Sequence, residues 1–311
     1  MISALLPAWL VGVTTFLVML IALLFWGLLL FVPVMLLKLF IPIPVVRDFL
    51  SKVLAVIATQ WVASNQLVFR LLHAPQWRID DNAHLDPTQS YLLISNHQSW
   101  ADILILFDLF HGRTPFLRFF LKKQLIWVPL VGVICWALDM PFLQRSSSKS
   151  GVATPRVRER DLAATRGFCE KFRGKPITVV NFVEGTRHTE AKRLAQHTEL
   201  HHLLRPKSAG ISFTLNAMGD QFAGIIDVTL AYQETNGSLL WSWLCGRQSH
   251  MSIHVDTLPI PPEMLSGDYD HDPKFREHFQ NWLKAIWSRK DARLERMHSG
   301  TAPSQPRVHT T

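Results

Sequence analysis

The sequence predicts an α/β domain with a largely buried sheet, carried on an apolar N-terminal segment. Short β-prone apolar runs recur at 91–95, 116–121, 138–143, 177–183, 224–232 and 251–256. Longer stretches of helical periodicity separate several of them, at 99–110, 155–173 and 209–218. Strands alternating with helices point to a sheet covered by helices. Ahead of all this, residues 1–37 contain no Asp, Glu, Lys or Arg.

From Ala8 to Leu37 the chain is almost unbroken Leu, Val, Phe, Ile and Ala. A secretory signal would bring a basic leading region and a short apolar core of roughly 7–15 residues. This stretch has neither, so it reads as a membrane anchor. Thirty helical residues rise ~45 Å, more than the ~30 Å hydrocarbon slab. The segment must therefore tilt, or bend near Pro33 into a spanning or re-entrant pair. The first cations, Lys38, Arg47 and Lys52, all follow it, which places the body of the protein in the cytoplasm by the positive-inside tendency.

Residues 45–73 repeat Phe49, Val53, Val56 and Ile57 at helical spacing, a helix that lies along the membrane or packs on the body. Residues 125–138, "LIWVPLVGVICWAL", are apolar on all sides and too short to span a bilayer. They read either as a core helix or as a surface facing lipid or an acyl chain. In the closing helix Phe275, Phe279, Trp282, Leu283, Ile286 and Trp287 make one stripe, interleaved with Lys274, Arg276, Lys284, Arg289 and Lys290. That is the pattern of a helix packed on its domain. The Ser/Thr/Pro/Gly-rich end from Ser299 reads as a disordered tail. The expected units are an anchor over 1–73, a body over 74–298 and a tail over 299–311.

A net charge of +8 and a pI near 9.6 call for an anionic partner: nucleic acid, phospholipid headgroups or a phosphorylated substrate. Eleven Trp and nineteen Phe against three Tyr favour a membrane surface. The basic residues are dispersed in no nucleic-acid-binding motif, so no nucleic-acid partner is expected. Cys135, Cys169 and Cys245 form no CxxC pair and read as reduced thiols, not a disulfide framework. In "AQHTELHHLLRP" His197 and His201 are four apart, with Glu199 and His202 beside them. That spacing suits zinc on a helix, yet no H-E-x-x-H order occurs; solvent-exposed histidines and no metal are expected.

Reactive groups of α/β sheets collect beyond the carboxyl ends of the strands. The run Tyr91–Ser95 ends at such a place, in Asn96-His97, and Asp102 follows in "NHQSWAD". If His97 precedes a helix and Asp102 lies in its second turn, the carboxylate can reach back to the imidazole. Asp102 then fixes the tautomer while the free nitrogen serves as general base. The nearby hydroxyls are Ser95 and Ser99, and no G-x-S-x-G elbow supports an esterase. In "ITVVNFVEGTRHT" a β-run ends at Glu184-Gly185-Thr186-Arg187. Glycine there allows close backbone approach, and Arg grips phosphate through bidentate, charge-assisted hydrogen bonds. "LDMPFLQRSSS" contributes Arg145, and "FFLKKQL" contributes Lys122 and Lys123.

These blocks resemble those of the glycerolipid acyltransferases, the lysophosphatidic acid acyltransferase (PlsC-like) superfamily. "NHQSWAD" is similar to the family's N-H-x4-D block, "FVEGTR" to F-P-E-G-T-R, and "MPFLQR" to the block between them. The resemblance covers nearly the whole chain, in the family's order and spacing. Val183 stands where the common block has Pro, and "IIDVTLAYQ" replaces the usual Pro-containing fourth block, as in the subgroup with the eukaryotic lysocardiolipin-type enzymes. The resemblance implies a mostly parallel sheet flanked by helices, with an N-terminal membrane-anchoring helix or helix pair. It implies a membrane-bound O-acyltransferase of the bacterial inner membrane, taking acyl-CoA or acyl-carrier protein as donor and needing no cofactor. The implied acceptor is a lysophospholipid: 1-acyl-glycerol-3-phosphate giving phosphatidic acid, or alternatively lysophosphatidylglycerol or lysocardiolipin. His97 would take the acceptor's hydroxyl proton, with Asp102 holding it. Arg145, Glu184, Gly185 and Arg187 would form the glycerol-phosphate subsite, with Asn96, Lys123 and Thr186 as further substrate contacts. A non-catalytic lipid-binding protein on the same fold is the alternative from another class.

Overall fold

The computed structural model describes residues 6–73, 75–144, 155–233, 237–248 and 250–299. The expected tail beyond Ser299 lies outside the described residues. Ala8–Phe40 is one continuous apolar helix, long enough to cross a membrane by length and composition, with most of its surface exposed. Pro33 does not bend the chain into a pair. The turns just before it, Leu24–Phe31, are of the wide π type, which relieves the clash between the proline ring and the carbonyl four residues back. Reversal comes later, at Ile41-Pro42-Ile43. There two prolines force extended backbone on the residues before them, and Ile41 sits at φ −91°, ψ 116°.

Pro44–His73 then returns antiparallel to the first helix, so that the Thr15 hydroxyl meets His73 Nε2 at 2.8 Å. The hairpin lies along the body. A Cβ on Gly12 would fall 2.6 Å from Cys245 Sγ, and one on Gly27 would fall 3.0 Å from Ile134 Cδ1. The opposite face of the first helix exposes Trp9, Phe16, Leu17, Ile21, Phe25, Leu29 and Phe40.

Among the described residues the body is built on eight strands: β1 Arg78–Asp81, β2 Ser90–Ser95, β3 Leu117–Phe119, β4 Leu121–Lys122, β5 Phe142–Leu143, β6 Thr178–Phe182, β7 Phe222–Ala231 and β8 Ser252–Leu258. Six form one sheet in the order β1-β8-β7-β2-β6-β3, and β4 pairs β5 as a separate ribbon. Every neighbour in the main sheet is parallel except β7–β8. The mostly parallel sheet expected from the sequence is therefore observed. β1 escapes a sequence reading because its four residues carry one apolar side chain, Ile79. The run 138–143 yields only β5, since Val131–Ala137 is helical and leaves little chain to extend.

All of β2 is buried, and its side chains alternate between two cores. Tyr91 and Leu93 face the hairpin and helix Ala101–Phe110, through Leu54, Ala58, Val62, Ile105 and Leu106. Leu92 and Ile94 face helices Pro155–Phe172, Ala209–Met218 and Pro273–His298, through Phe168, Ile211, Leu215, Phe279 and Trp287. Residues 125–138 are a surface and not a core helix. Trp127 is 84% exposed, with Val128, Val131, Val133 and Trp136 also open, while Leu130 and Ile134 turn in against Gly27.

The closing helix packs on the sheet as expected, but Lys290 belongs to its buried stripe and not to its solvent face. Its ammonium is fully buried, 2.5 Å from Asp227 Oδ1, and it also donates to the Val228 carbonyl. Arg293 Nη1 reaches Asp227 Oδ2 at 3.0 Å. Burial opposes the Asp227 charge, yet Lys290 and Arg293 outweigh it and hold the carboxyl below its usual range. Removing one partner from a buried pair leaves an uncompensated charge. Asp227→Ala should therefore cost about 3–5 kcal/mol and lower Tm by on the order of 10 °C. A melt within a degree or two of wild type would show that Lys290 is not a buried cation.

Candidate active site

β3, β6, β2 and β7 all run the same way, so their carboxyl ends open onto one crevice. Three segments singled out in the sequence leave the sheet there, 96–102 after β2, 183–188 after β6 and Lys122–Lys123 beyond β3, and Tyr232 joins them after β7. Asn96 makes the first turn. Its side-chain NH2 donates to the Leu230 carbonyl and its side-chain oxygen accepts from the Leu230 N–H, both at 2.9 Å and fully buried. Both ends of the amide are thus taken by β7. Asn96 positions the loop and does not face the crevice as a substrate contact would.

His97 and Asp102 are brought together. His97 Nδ1 lies 2.7 Å from Asp102 Oδ2, and the same oxygen accepts the N–H groups of Gln98 at 2.7 Å and Ser99 at 2.9 Å. Asp102 sits in the first helical turn, not the second, because the helix starts at Ala101. Three residues between histidine and helix leave the carboxylate directly beneath the loop. Asp102 has no exposed surface, whereas the His97 side chain is 15% exposed. The imidazole stacks on Phe182 at 4.0 Å between ring centres, 15° from parallel. With Nδ1 committed and one ring face covered, Nε2 is the nitrogen left for proton transfer. Neither serine is placed as a nucleophile: Ser95 donates to the Asn96 carbonyl at 3.0 Å, and the Ser99 hydroxyl accepts the Ala101 N–H at 3.2 Å.

The Glu184–Arg187 turn is tied to the same loop. The His97 carbonyl accepts the His188 N–H at 2.6 Å, and the His97 N–H donates to Glu184 Oε1 at 3.3 Å. Gly185 is at φ +67°, a conformation that favours glycine. Glu184 points inward, 1% exposed, with Oε2 lacking a hydrogen-bond partner. Burial pushes its carboxyl up to about 8, against the opposing hydrogen bonds from the His97 and Leu204 backbones. An inward carboxyl serves the loop and is turned away from any phosphate.

Cations gather outside this turn. Lys192 Nζ donates to Thr186 Oγ1 at 2.9 Å and to the Arg187 carbonyl at 2.7 Å. The Arg187 guanidinium lies 5.3 Å from the centre of the Trp100 ring. Burial, followed by the fields of Lys122 and Arg187, lowers the Lys192 ammonium. The Lys207 stem covers Gly185, where a Cβ would meet its Cδ at 3.0 Å. The charge of Lys122 reaches this group; Lys123 is exposed at the head of the turn Lys123–Trp127. Arg145 lies outside the described residues. Lys192, Lys207 and Tyr232 were missed, since a lone Lys in a polar helix or loop carries no signal until the turn beside it is placed. Among the described residues no group of three His, Cys, Asp or Glu could hold a metal ion. His202 instead pairs with Glu295 at 2.8 Å.

A family model described as Acyltransferase matches residues 76–233, about half of the chain. The 1-acyl-sn-glycerol-3-phosphate acyltransferase delta of Homo sapiens is 24% identical over 233 residues, covering 71% of this chain and 56% of that protein. The epsilon protein of Mus musculus is 24% identical over 241 residues, covering 70% of this chain and 60% of that one. The chain thus spans little more than half the length of these curated relatives. The crystal structure of the 1-acyl-sn-glycerophosphate (LPA) acyltransferase PlsC from Thermotoga maritima matches with TM-score 0.50 and 14% identity, over 89% of this chain and 95% of that one. At that identity the likeness concerns the fold.

The inward Glu184 has a measurable consequence. The folded chain holds a proton that the unfolded chain releases above the ordinary value of 4.5, so stability falls as pH rises from there to about 8. Glu184→Gln keeps the Oε1 acceptor and removes the titration. The Tm of this variant should gain several degrees on wild type between pH 5 and pH 8; parallel curves would refute the assignment.

Proposed function

The chain belongs to the Acyltransferase family, and from that premise we propose that it moves a fatty acyl group from a thioester to the free hydroxyl of a lysophospholipid. The observation that carries the reading is the His97–Asp102 contact at 2.7 Å, which engages Nδ1 and leaves Nε2 as the nitrogen for proton transfer. His97 Nε2 takes the hydroxyl proton as the acceptor oxygen bonds to the thioester carbonyl carbon. The tetrahedral adduct then breaks its carbon–sulfur bond, and the imidazolium returns the proton to the departing thiolate. Asp102, charged and immobile, stabilises the imidazolium between the two steps. No acyl-enzyme is required, which agrees with the engagement of Ser95 and Ser99 elsewhere.

Arg187, Lys192 and Lys122, with Lys207 beside them, support a phosphate-bearing acceptor. A phosphate among cations in a partly desolvated crevice interacts more strongly than in bulk water. The names of the curated relatives favour 1-acyl-glycerol-3-phosphate, giving phosphatidic acid; lysophosphatidylglycerol and lysocardiolipin carry the same phosphate and are the competing acceptors. Acyl-CoA and acyl-carrier protein are both admissible donors. The exposed apolar face of Ala8–Phe40 and the open ledge around Trp127 and Trp136 support membrane attachment. Because the body lies along residues 12–27 of that helix, an in-plane hairpin in one leaflet fits better than a span normal to the bilayer. Lys38, Arg47 and Lys52 favour the cytoplasmic side, here of a bacterial inner membrane.

The test is thiol release from oleoyl-CoA by membranes carrying the protein, with and without lysophosphatidic acid. Acceptor-dependent release is expected; release without acceptor would make it a thioesterase. No release with any lysophospholipid, from CoA or carrier-protein donors, would favour a non-catalytic lipid-binding role. His97→Ala should lower the rate by about 10²–10⁴-fold while the protein stays in the membrane fraction. Arg187→Ala should raise the apparent KM for phosphate-bearing acceptors about tenfold or more, the worth of one charge-assisted hydrogen bond, with kcat little changed. A His97 variant at full rate would end the mechanism.

A further inference from the structure

We propose that Tyr232 is a positioning residue for this site, its hydroxyl fixing the Asp102 carboxylate and, through it, the His97 imidazole. The kinetic part of the proposal rests on the acyl-transfer reading; the geometric part does not. Asp102 has two oxygens with different neighbours. Oδ2 receives Gln98 N–H, Ser99 N–H and His97 Nδ1, all from the loop that Asp102 itself terminates. These three contacts tie the carboxylate to its own loop and to no other element.

Oδ1 receives the hydroxyl of Tyr232, from just beyond the end of β7. Among the described residues this is the hydrogen bond to Asp102 that comes from outside 97–102. Tyr232 is 4% exposed and part of the core that includes Phe107 and Ala101, so its ring is held by packing. Burial, then the charge of Asp102, pushes the phenol well above its usual range, and it remains a neutral donor. Two residues earlier, Leu230 is gripped by Asn96 through both amide groups. The His97 loop is therefore fastened to β7 on either side of the histidine, by Asn96 before it and by Tyr232–Asp102 after it.

Tyr232→Phe removes the donor and keeps the ring. With the acyl-CoA assay, kcat should fall about ten- to hundredfold, the worth of a hydrogen bond to a charged group, while KM for oleoyl-CoA and for lysophosphatidic acid stays put. In an Asp102→Asn background the same change should cost nothing further, because Tyr232 acts only through that carboxylate. An unchanged kcat, or a full additional loss in the Asp102→Asn background, would overturn the proposal.

A second measurement needs neither turnover nor a stable Phe variant. The far-downfield imidazole proton resonance of the His97–Asp102 hydrogen bond is identified by its loss in His97→Ala. Difluorotyrosine at position 232 preserves shape and makes the phenol a stronger donor. It should draw charge from Asp102 and move that resonance upfield; a resonance that does not move overturns the proposal. If wild type turns over no lysophospholipid, the acyl-transfer reading fails, and the resonance still decides the role of Tyr232.

Discussion

Asp102 is a carboxylate with no exposed surface and, among the described residues, no Lys or Arg in hydrogen-bonding contact, so it has to be met by oriented donors. That requirement shapes the catalytic end of the sheet. Gln98 and Ser99 must turn their N–H groups back toward the first helical turn, which forces the chain out of β2 in a tight loop, not directly into a helix. Asn96 must leave the sheet early enough to grip Leu230, and β7 must run far enough to bring Tyr232 alongside. The exposed edge of His97 is what remains once these demands are met.

The second buried carboxyl in the same crevice shows how environment divides the labour. Glu184 receives backbone N–H groups from His97 and Leu204 on one side and leaves Oε2 without a partner. With fewer donors than Asp102, it is driven toward its neutral form by burial. One carboxyl has four hydrogen-bond partners, the His97 imidazole among them, and the other, driven toward its neutral form, is a strut under the turn that carries Arg187. The Asp227–Lys290–Arg293 group meets burial by a third route, direct pairing with cations behind the sheet.

Much of this was legible in the chain because the periodicities were clean. The β2 run has five consecutive residues of strand character, and helices 101–110, 155–172 and 209–218 fall within two residues of their expected limits at either end. His97 and Asp102 could be paired in advance only conditionally, since a histidine and an acid five positions apart recur by coincidence; the Glu184–Arg187 turn and the resemblance to the acyltransferase blocks give the pair its weight. Lys290 was misplaced. It stands at the position where the Leu283, Ile286, Trp287 stripe continues toward Leu294, and only the partner on β7 shows that a cation belongs there. Tyr232 was visible within "IIDVTLAYQ" yet silent, because its meaning lies in a contact spanning 130 positions. Asn96 and Glu184 were expected to touch substrate, whereas their hydrogen bonds turn them inward. A motif shows that a residue is required, and only the packing shows which way it faces.

The hairpin bears on the chemistry through geometry. On the proposed acyl-transfer reading, a lysophospholipid would keep its acyl chain in the apolar phase while its hydroxyl met Nε2, and the crevice would have to open at the level of the headgroups. The cationic turn at Arg187 and Lys192, the indole of Trp100 under that guanidinium and the exposed ledge at Trp127 and Trp136 are polar and apolar surfaces of the kind that meet at such a level. Gly12 and Gly27 allow the apolar helix to lie directly against the body, which fixes the crevice relative to the helix face that lipid would cover. Flexible tethering would leave that height undefined and the reacting atoms rarely within reach. On that reading the close packing of the helix would be part of how the substrate is positioned, and a side chain in place of either glycine would press the helix away from Cys245 or Ile134.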